Sequence, residues 1–177
     1  PARPDHLFRN DQGKFVDISD AAGITAADRD GRGFGVVAAD IDEDGLLDLF
    51  VSNDTTANYL FHNKGGLKFE EIGMLAGVAT GTSGGYQAGM GVACGDLDAD
   101  GRPDLFVTNF YGESTTYYQN LGNRLFTDGS TMSGLAAPSR FLLGFGIALL
   151  DFNNDGYLDV MTTNGHVNDM RPKFPYA

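Results

Sequence analysis

Apolar and polar residues alternate in short runs along this chain, and the runs recur in a fixed order. Gly33–Ala39 is a mostly apolar run that ends in a cluster of acids. Leu49–Ser52 follows as a short apolar run, the pattern of a strand buried on both faces. Asn58–His62 and Lys68–Ile72 flank Asn63-Lys64-Gly65-Gly66, a turn signal, and read as a hairpin. This predicts four strands per unit, with the acidic segment joining the first to the second. The connectors Gly73–Gln87 and Gly129–Arg140 are longer, and Met74-Leu75-Ala76 fits a helical turn.

The acidic segment occurs three times. Asp40-Ile41-Asp42-Glu43-Asp44-Gly45-Leu46-Leu47-Asp48, Asp96-Leu97-Asp98-Ala99-Asp100-Gly101-Arg102-Pro103-Asp104 and Asp151-Phe152-Asn153-Asn154-Asp155-Gly156-Tyr157-Leu158-Asp159 share one pattern. A Gly-apolar-Gly triplet begins seven residues before each (Gly33, Gly89, Gly144), and an asparagine follows each ninth position by five (Asn53, Asn109, Asn164). A second block also recurs: Leu7-Phe8-Arg9-Asn10, Leu60-Phe61-His62-Asn63 and Tyr117-Tyr118-Gln119-Asn120. Each is followed by an aromatic (Phe15, Phe69, Phe126) and, eight residues later, by a glycine (Gly23, Gly77, Gly134). We divide the chain into repeat units of approximately 6–59, 60–116 and 117–177, the last incomplete, within a single partial domain spanning 1–177.

Four short strands per repeat, with periodic glycine and aromatic residues, predict an all-β fold made of β-propeller blades. The repeat is longer than the ~40–45 residues of WD repeats, and the long connectors account for the excess. The chain supplies two strands at its start, two whole blades and two strands at its end. Closed on itself it would have fewer than the usual minimum of about four blades. The pattern begins and ends mid-unit. We therefore expect a segment of a larger ring, completed by the remainder of a longer chain or by a protein partner.

Composition narrows the chemistry. The chain has 177 residues and a net charge of −12, which disfavours nucleic acid and anionic membrane as partners. Eleven of its 24 carboxylates are metal-ligand candidates in the three acidic segments, and three Ca2+ ions would remove half the net charge. Without metal, like charges crowd within each loop, and folding is expected to be coupled to metal. Glycine, at 25 residues, is roughly double ordinary usage, which fits short strands and many turns. No apolar run is long enough for a membrane-spanning helix, and no signal-peptide pattern opens the chain. Cys94 is the sole cysteine; it sits in an apolar strand and reads as a small buried residue.

Oxygen ligands at alternating positions, with glycine at the sixth, describe a loop around a hard cation. In the first loop Asp40, Asp42 and Asp44 offer side-chain oxygens at positions 1, 3 and 5. Leu46 offers its carbonyl at position 7, and Asp48 closes the shell with one or both oxygens. The second loop offers Asp96, Asp98, Asp100, Arg102 (through its carbonyl) and Asp104; the third offers Asp151, Asn153, Asp155, Tyr157 (likewise) and Asp159. The set suits Ca2+ at about three sites, and the sequence places no His or Cys near enough for zinc. An EF-hand needs a Glu at position 12, where this chain has Val51, Val107 and Thr162. Asp28-Arg29-Asp30-Gly31 lacks a closing acid and reads as a plain loop.

These loops, each following a Gly-apolar-Gly strand, resemble FG-GAP/VCBS repeats of integrin-α-like propellers. The blocks Leu7-Phe8-Arg9-Asn10, Phe15-Val16-Asp17-Ile18 and Ala22-Gly23-Ile24, with Asn164-Gly165-His166-Val167, resemble repeats of the bacterial UnbV/ASPIC type. The resemblance covers His6 to Asp169. It implies a usually seven-bladed propeller, secreted or periplasmic, with Ca2+ in the loops between first and second strands. Pro103 at position 8 and Asn153 at position 3 depart from the pattern, and Asn153 removes a charge from the third loop.

Catalysis needs a nucleophile with a base, or an acid pair of separated pKa. His6 and His62 lie beside repeat strands and read as surface or packing residues. His166 beside Asn168 and Asp169 is the one polar cluster near a blade end. Tyr59, Tyr86, Tyr111, Tyr117 and Tyr118 read as blade packing or as a sugar- or protein-binding surface. No catalytic residue is assigned. The favoured reading is a non-enzymatic calcium-binding module outside the cytoplasm, acting in adhesion, scaffolding or assembly. The alternative is a Ca-dependent carbohydrate-active propeller, lyase-like or glycan-binding.

Overall fold

The computed structural model describes residues 3–27 and 30–165. In chain order the strands are β1 (Phe8–Asp11), β2 (Lys14–Asp17), β3 (Gly33–Ala39), β4 (Asp48–Asn53), β5 (Tyr59–Asn63), β6 (Phe69–Glu71), β7 (Gly89–Gly95), β8 (Asp104–Asn109), β9 (Thr116–Asn120), β10 (Phe126–Asp128), β11 (Gly144–Leu150) and β12 (Asp159–Asn164). Four one-turn helices sit in the connectors: α1 (Ser19–Ala22), α2 (Ile24–Ala27), α3 (Gly73–Ala76) and α4 (Ala136–Ser139). All strand pairing is antiparallel. β1–β2 form a two-stranded sheet, β3–β4–β5–β6 and β7–β8–β9–β10 form four-stranded meanders, and β11–β12 form a second two-stranded sheet. The four strands expected per unit, and the helical turn at Met74–Ala76, are found.

The second strands form for the reason their sequence gives. β8 is buried along its whole length and β4 nearly so, because each lies between two strands and two neighbouring sheets. Their unbroken apolar runs match that setting. The register is the same in both whole sheets: Leu49 faces Phe61 and Phe50 faces Leu60, as Leu105 faces Tyr118 and Phe106 faces Tyr117. One-residue slips would turn these side chains to the wrong face, so the register is strongly specified. β12 is the same strand type but has no buried residue, and no third strand flanks it among the described residues.

First strands stack side by side from sheet to sheet, β3 against β7 and β7 against β11. A hydroxyl relay links them. The Gly35 amide donates to Ser52 Oγ at 3.2 Å, and that hydroxyl donates to the Met90 carbonyl of the next sheet at 2.8 Å. One repeat on, the Gly91 amide donates to Thr108 Oγ1 at 2.9 Å, and Thr108 lies 3.4 Å from the Phe145 carbonyl. The triplet glycines make room for these carbonyls: a Cβ on Gly35 would lie 2.6 Å from Met90 O, and one on Gly91 would lie 2.2 Å from Phe145 O. A second close approach lies at the connectors. Gly23 and Gly77 take positive φ at the ends of α1 and α3, and a Cβ there would meet the carbonyls of Phe69 and Phe126 at 2.8 Å.

Apolar side chains fill the spaces between sheets. Ile41, Phe50 and Leu60 of the first whole sheet pack with Val78, Leu105, Val107, Tyr118 and Phe126 on the side of the second. A smaller cluster of Ala22, Ile24, Val51, Tyr59 and Phe61, with Leu7 and Phe69, joins β1–β2 to the first whole sheet.

If sheet stacking depends on the carbonyl seated against Gly91, Gly91→Ala lowers stability by about 1–3 kcal/mol through overpacking. Gly85→Ala, where the nearest atom is 3.7 Å away, leaves it unchanged. Denaturant melts of the two variants compare these outcomes.

Candidate metal centre

Each acidic segment forms one loop, built the same way three times. It leaves the first strand, turns through a left-handed residue at position 4 (Glu43, Ala99, Asn154) and a left-handed glycine at position 6, and enters the second strand. A non-glycine residue in that region is strained by about 1–2 kcal/mol, so something must hold the turn. Its own carboxylates do. Both oxygens of Asp40 accept amide hydrogens, from Asp44 at 3.0 Å and Gly45 at 2.9 Å. Asp96 does the same for Asp100 and Gly101, and Asp151 for Asp155 and Gly156. The fifth-position acids Asp44, Asp100 and Asp155 each accept the amide of the seventh residue, Leu46, Arg102 and Tyr157.

The ninth position behaves differently. Asp48 is 2 % exposed and Asp104 is fully buried. Asp48 Oδ2 accepts the Ile41 amide at 3.2 Å, and its Oδ1 accepts the Asn63 amide of β5 at 2.7 Å. Asp104 accepts the Leu97 amide at 3.0 Å, the Asn120 amide of β9 at 2.8 Å and the Tyr117 hydroxyl at 3.1 Å. Burial pushes the Asp104 carboxyl above the usual carboxylate range, and these donors only partly offset it. The same burial, with Asp104 beside it, raises the Tyr117 phenol. Most lone pairs of the ninth carboxylate are therefore already used. One acceptor position is left on each of Asp48 and Asp104.

Third-strand side chains complete the setting. His62 is 5 % exposed, with Nδ1 3.1 Å from Asp48 Oδ1 and 3.8 Å from Asp42 Oδ2. Arg124 Nη1 lies 2.9 Å from His62 Nε2; since arginine can only donate, Nδ1 carries the ring proton and donates to Asp48. This corrects the expectation that no histidine lies near enough to a loop for zinc, since His62 joins Asp42 and Asp48 in one group of ligand atoms. The hairpin folds β5 against β4 and so delivers His62 to Asp48 from fourteen residues away. In the second sheet Gln119 takes the same place and donates to Asp98 Oδ2 at 2.6 Å.

Asp40, Asp42 and Asp44 bring ligand oxygens within 4.8 Å of one another, as do Asp96, Asp98 and Asp104. Asp42, Asp48 and His62 form a further group of that size. Asp42 Oδ1 is buried without a hydrogen-bond partner, an oxygen that a cation in the loop would satisfy. The oxygen-only sets fit a hard cation such as Ca2+. The third loop is more open: Asp151 and Asp155 hold their amide contacts, while the Asn153 side chain turns to Asp155 Oδ2 at 2.9 Å. Both tighter loops also have a guanidinium beside them. Arg102 bonds Asp100, and Arg124 Nη1 lies 3.6 Å from Asp42 Oδ2.

Other candidates resolve simply. Tyr59, Tyr117 and Tyr118 are buried in the packing, and Tyr86 and Tyr111 are exposed. His6 pairs with Asp17 at 2.8 Å on the surface. The partly buried Cys94 thiol is pushed up to about 11 by desolvation, which suits a packing role. His166, Asn168 and Asp169 lie outside the described residues, as do Asp28 and Arg29.

A family model for the FG-GAP-like repeat matches this chain twice, over residues 40–107 and 96–162. The chain belongs to the FG-GAP-like repeat family. Each match opens on the first acid of a loop. Curated relatives include proteins named cartilage acidic protein 1. The one from Xenopus tropicalis is 29 % identical over 153 residues, covering 85 % of this chain and 22 % of that protein. The human one is 29 % identical over 150 residues and the mouse one 30 %, each covering 83 % of this chain. The FG-GAP-like chain described here thus spans about a fifth of the length of these relatives.

The ninth-position acid and the outer acids differ in kind, and mutation separates them. Asp104→Ala leaves buried amide and hydroxyl donors unpaired and lowers stability by about 1–3 kcal/mol even in EGTA. Asp98→Ala, at an exposed carboxylate, has its main effect only when Ca2+ is present. Urea titrations of both variants with and without metal give the comparison.

Proposed function

We propose that this chain is a Ca2+-stabilised segment of an FG-GAP β-propeller, of the UnbV/ASPIC type, working outside the cytoplasm as a protein-binding scaffold rather than an enzyme. The observation that carries the reading is the oxygen-only cluster at the same strand junction in successive sheets. In the first loop Asp40, Asp42 and Asp44 would hold the cation with the Leu46 carbonyl, and Asp48 would add one oxygen. In the second, Asp96, Asp98 and Asp100 would do so with the Arg102 carbonyl and Asp104. Asp151, Asn153, Asp155, the Tyr157 carbonyl and Asp159 would form a weaker third site. The ion supplies positive charge that offsets carboxylate repulsion and fixes the turn. The chain's own residues orient it: His62 and Gln119 hold the acids from the third strand, and the ninth Asp ties loop to hairpin.

The extracellular setting is supported by relatives named for cartilage, and no described helix is long and apolar enough to cross a membrane. A structural role for the ion is supported by its position at strand turns, with amides already bonded to the ligands.

A glycan-binding reading has one specific support. A cleft of about 340 Å³ is lined by Thr82, Ser83, Gln87, Ser114, Thr116 and Arg140, among others. Hydroxyl, amide and guanidinium groups of this kind can hydrogen-bond a sugar.

Thermal melts with Ca2+ and with EGTA test the main reading. At Ca2+ about 100-fold above the dissociation constant, each filled site adds about 2.7 kcal/mol. Asp44→Ala is expected to remove the first loop's share of that shift; coincident melts of the wild-type chain in the two buffers would refute the reading.

A further inference from the structure

The first acidic loop shares one of its carboxylates with an arginine from the neighbouring sheet. Arg124 sits in the turn between β9 and β10, in the second whole sheet, while Asp42 and His62 belong to the first. Asn123 and Arg124 both take left-handed backbone angles, φ 54° and 63°. Residues other than glycine rarely adopt that region. The turn between β5 and β6 repeats it: Leu67, two residues before Phe69 as Arg124 is two before Phe126, has φ 57°. The turn geometry therefore accepts a leucine as well as an arginine, and nothing in the turn itself calls for the charge.

The charge has its contacts across the sheet junction. Arg124 Nη1 donates to His62 Nε2 at 2.9 Å and lies 3.6 Å from Asp42 Oδ2. His62 passes the contact on: its Nδ1 donates to Asp48 Oδ1 at 3.1 Å and faces Asp42 Oδ2 at 3.8 Å. One guanidinium thus reaches two candidate ligands of the first loop, Asp42 directly and Asp48 through the imidazole. The other oxygen of Asp42, Oδ1, is buried without a hydrogen-bond partner and is the one left to an ion.

The contact is built to be given up. The Arg124 side chain is 44 % exposed, against 13 % for Asp42. A cleft of about 270 Å³ opens beside it, lined by His62, Lys64, Glu70, Leu75 and Leu125 among others. Glu70 pairs with His62 in the register of β5 and β6, so a second carboxylate lies within the same cleft. The second loop has a guanidinium too, reached by a different route. Arg102 bonds Asp100, and its Nε donates to the Asn120 carbonyl at 3.0 Å. Arg102 is the seventh residue of its own loop, where the first loop has Leu46. The first loop takes its guanidinium from the next sheet instead.

We propose that Arg124 is the resident counter-cation of the first loop. It offsets part of the loop's negative charge while no ion is bound, and it lowers the loop's affinity for Ca2+ because two cations then share the Asp42 carboxylate. This rests on the Ca2+ reading above and names the residue that tunes it. Like charges on one carboxylate oppose each other, and the exposure of the guanidinium keeps the effect moderate. By linkage, the stability that Arg124 adds to the metal-free chain is subtracted from Ca2+ binding. An ion in the first loop therefore loosens a contact between two sheets.

Calorimetric titration with Ca2+ and thermal melts test this in an Asp98→Ala background, where the first loop is the stronger site left. Arg124→Gln is expected to bind Ca2+ about three- to tenfold more tightly. It is also expected to lower the melting temperature more in EGTA than in saturating Ca2+. Arg124→Lys keeps the charge and stays near the parent affinity. Lys14→Gln removes the same charge from β2 and changes the affinity by less than about twofold. Affinity that is unchanged or weaker in Arg124→Gln overturns the proposal. Equal falls in melting temperature in the two buffers, or equal tightening in Lys14→Gln, overturn it as well. A wild-type chain without saturable Ca2+ binding overturns the Ca2+ reading itself and the proposal with it, whereas wild-type binding that Arg124→Gln leaves unchanged overturns the proposal alone.

Discussion

The buried carboxylate at the ninth loop position is the contact on which the sheets depend. Asp48 and Asp104 each accept one amide from their own loop and one from the third strand. Each therefore fixes the turn between first and second strands and docks the hairpin that follows. A buried carboxylate is tolerated only when its oxygens are well supplied with donors. Here amides, a tyrosine hydroxyl and a histidine supply them. The outer acids of the loop remain crowded at the surface, and that is where a divalent cation would act. Loop and sheet are one device: the inner acid ties the loop to the third strand, and the outer acids take no part in that tie.

Sheets then join through the first strands. The hydroxyl after the second strand's apolar run takes an amide from its own sheet and reaches a carbonyl of the next. The triplet glycines leave space for that carbonyl. Because the relay is directional, each sheet offers an acceptor on one side and a donor on the other. This is why a segment of such sheets has two unlike open faces.

Much of this was legible in the sequence. The strand order and the acidic loop at the first turn followed from periodicity, because each repeat states the same pattern again. Family membership followed from the same residues. What was not legible lay across strands. The sequence marks His62 as a surface or packing residue, and it is buried, but its place facing Asp48 depends on a strand register that the apolar pattern does not show. The tyrosines split between core and surface for the same reason: Tyr117 and Tyr118 share a strand, and each faces packing because sheets cover both sides. The relay hydroxyls do carry a sequence signal. Ser52, Thr108 and Thr163 each stand immediately before the repeated asparagine.

The central claim is that the outer loop acids hold Ca2+. Isothermal calorimetry of the chain against Ca2+ tests it most directly. Saturable binding dominated by the first and second loops is expected, with a weaker contribution from the third, where Asn153 replaces an acid. Asp98→Ala is expected to remove one of the two stronger sites. An isotherm with no saturable heat, or one unchanged by Asp98→Ala, would contradict it.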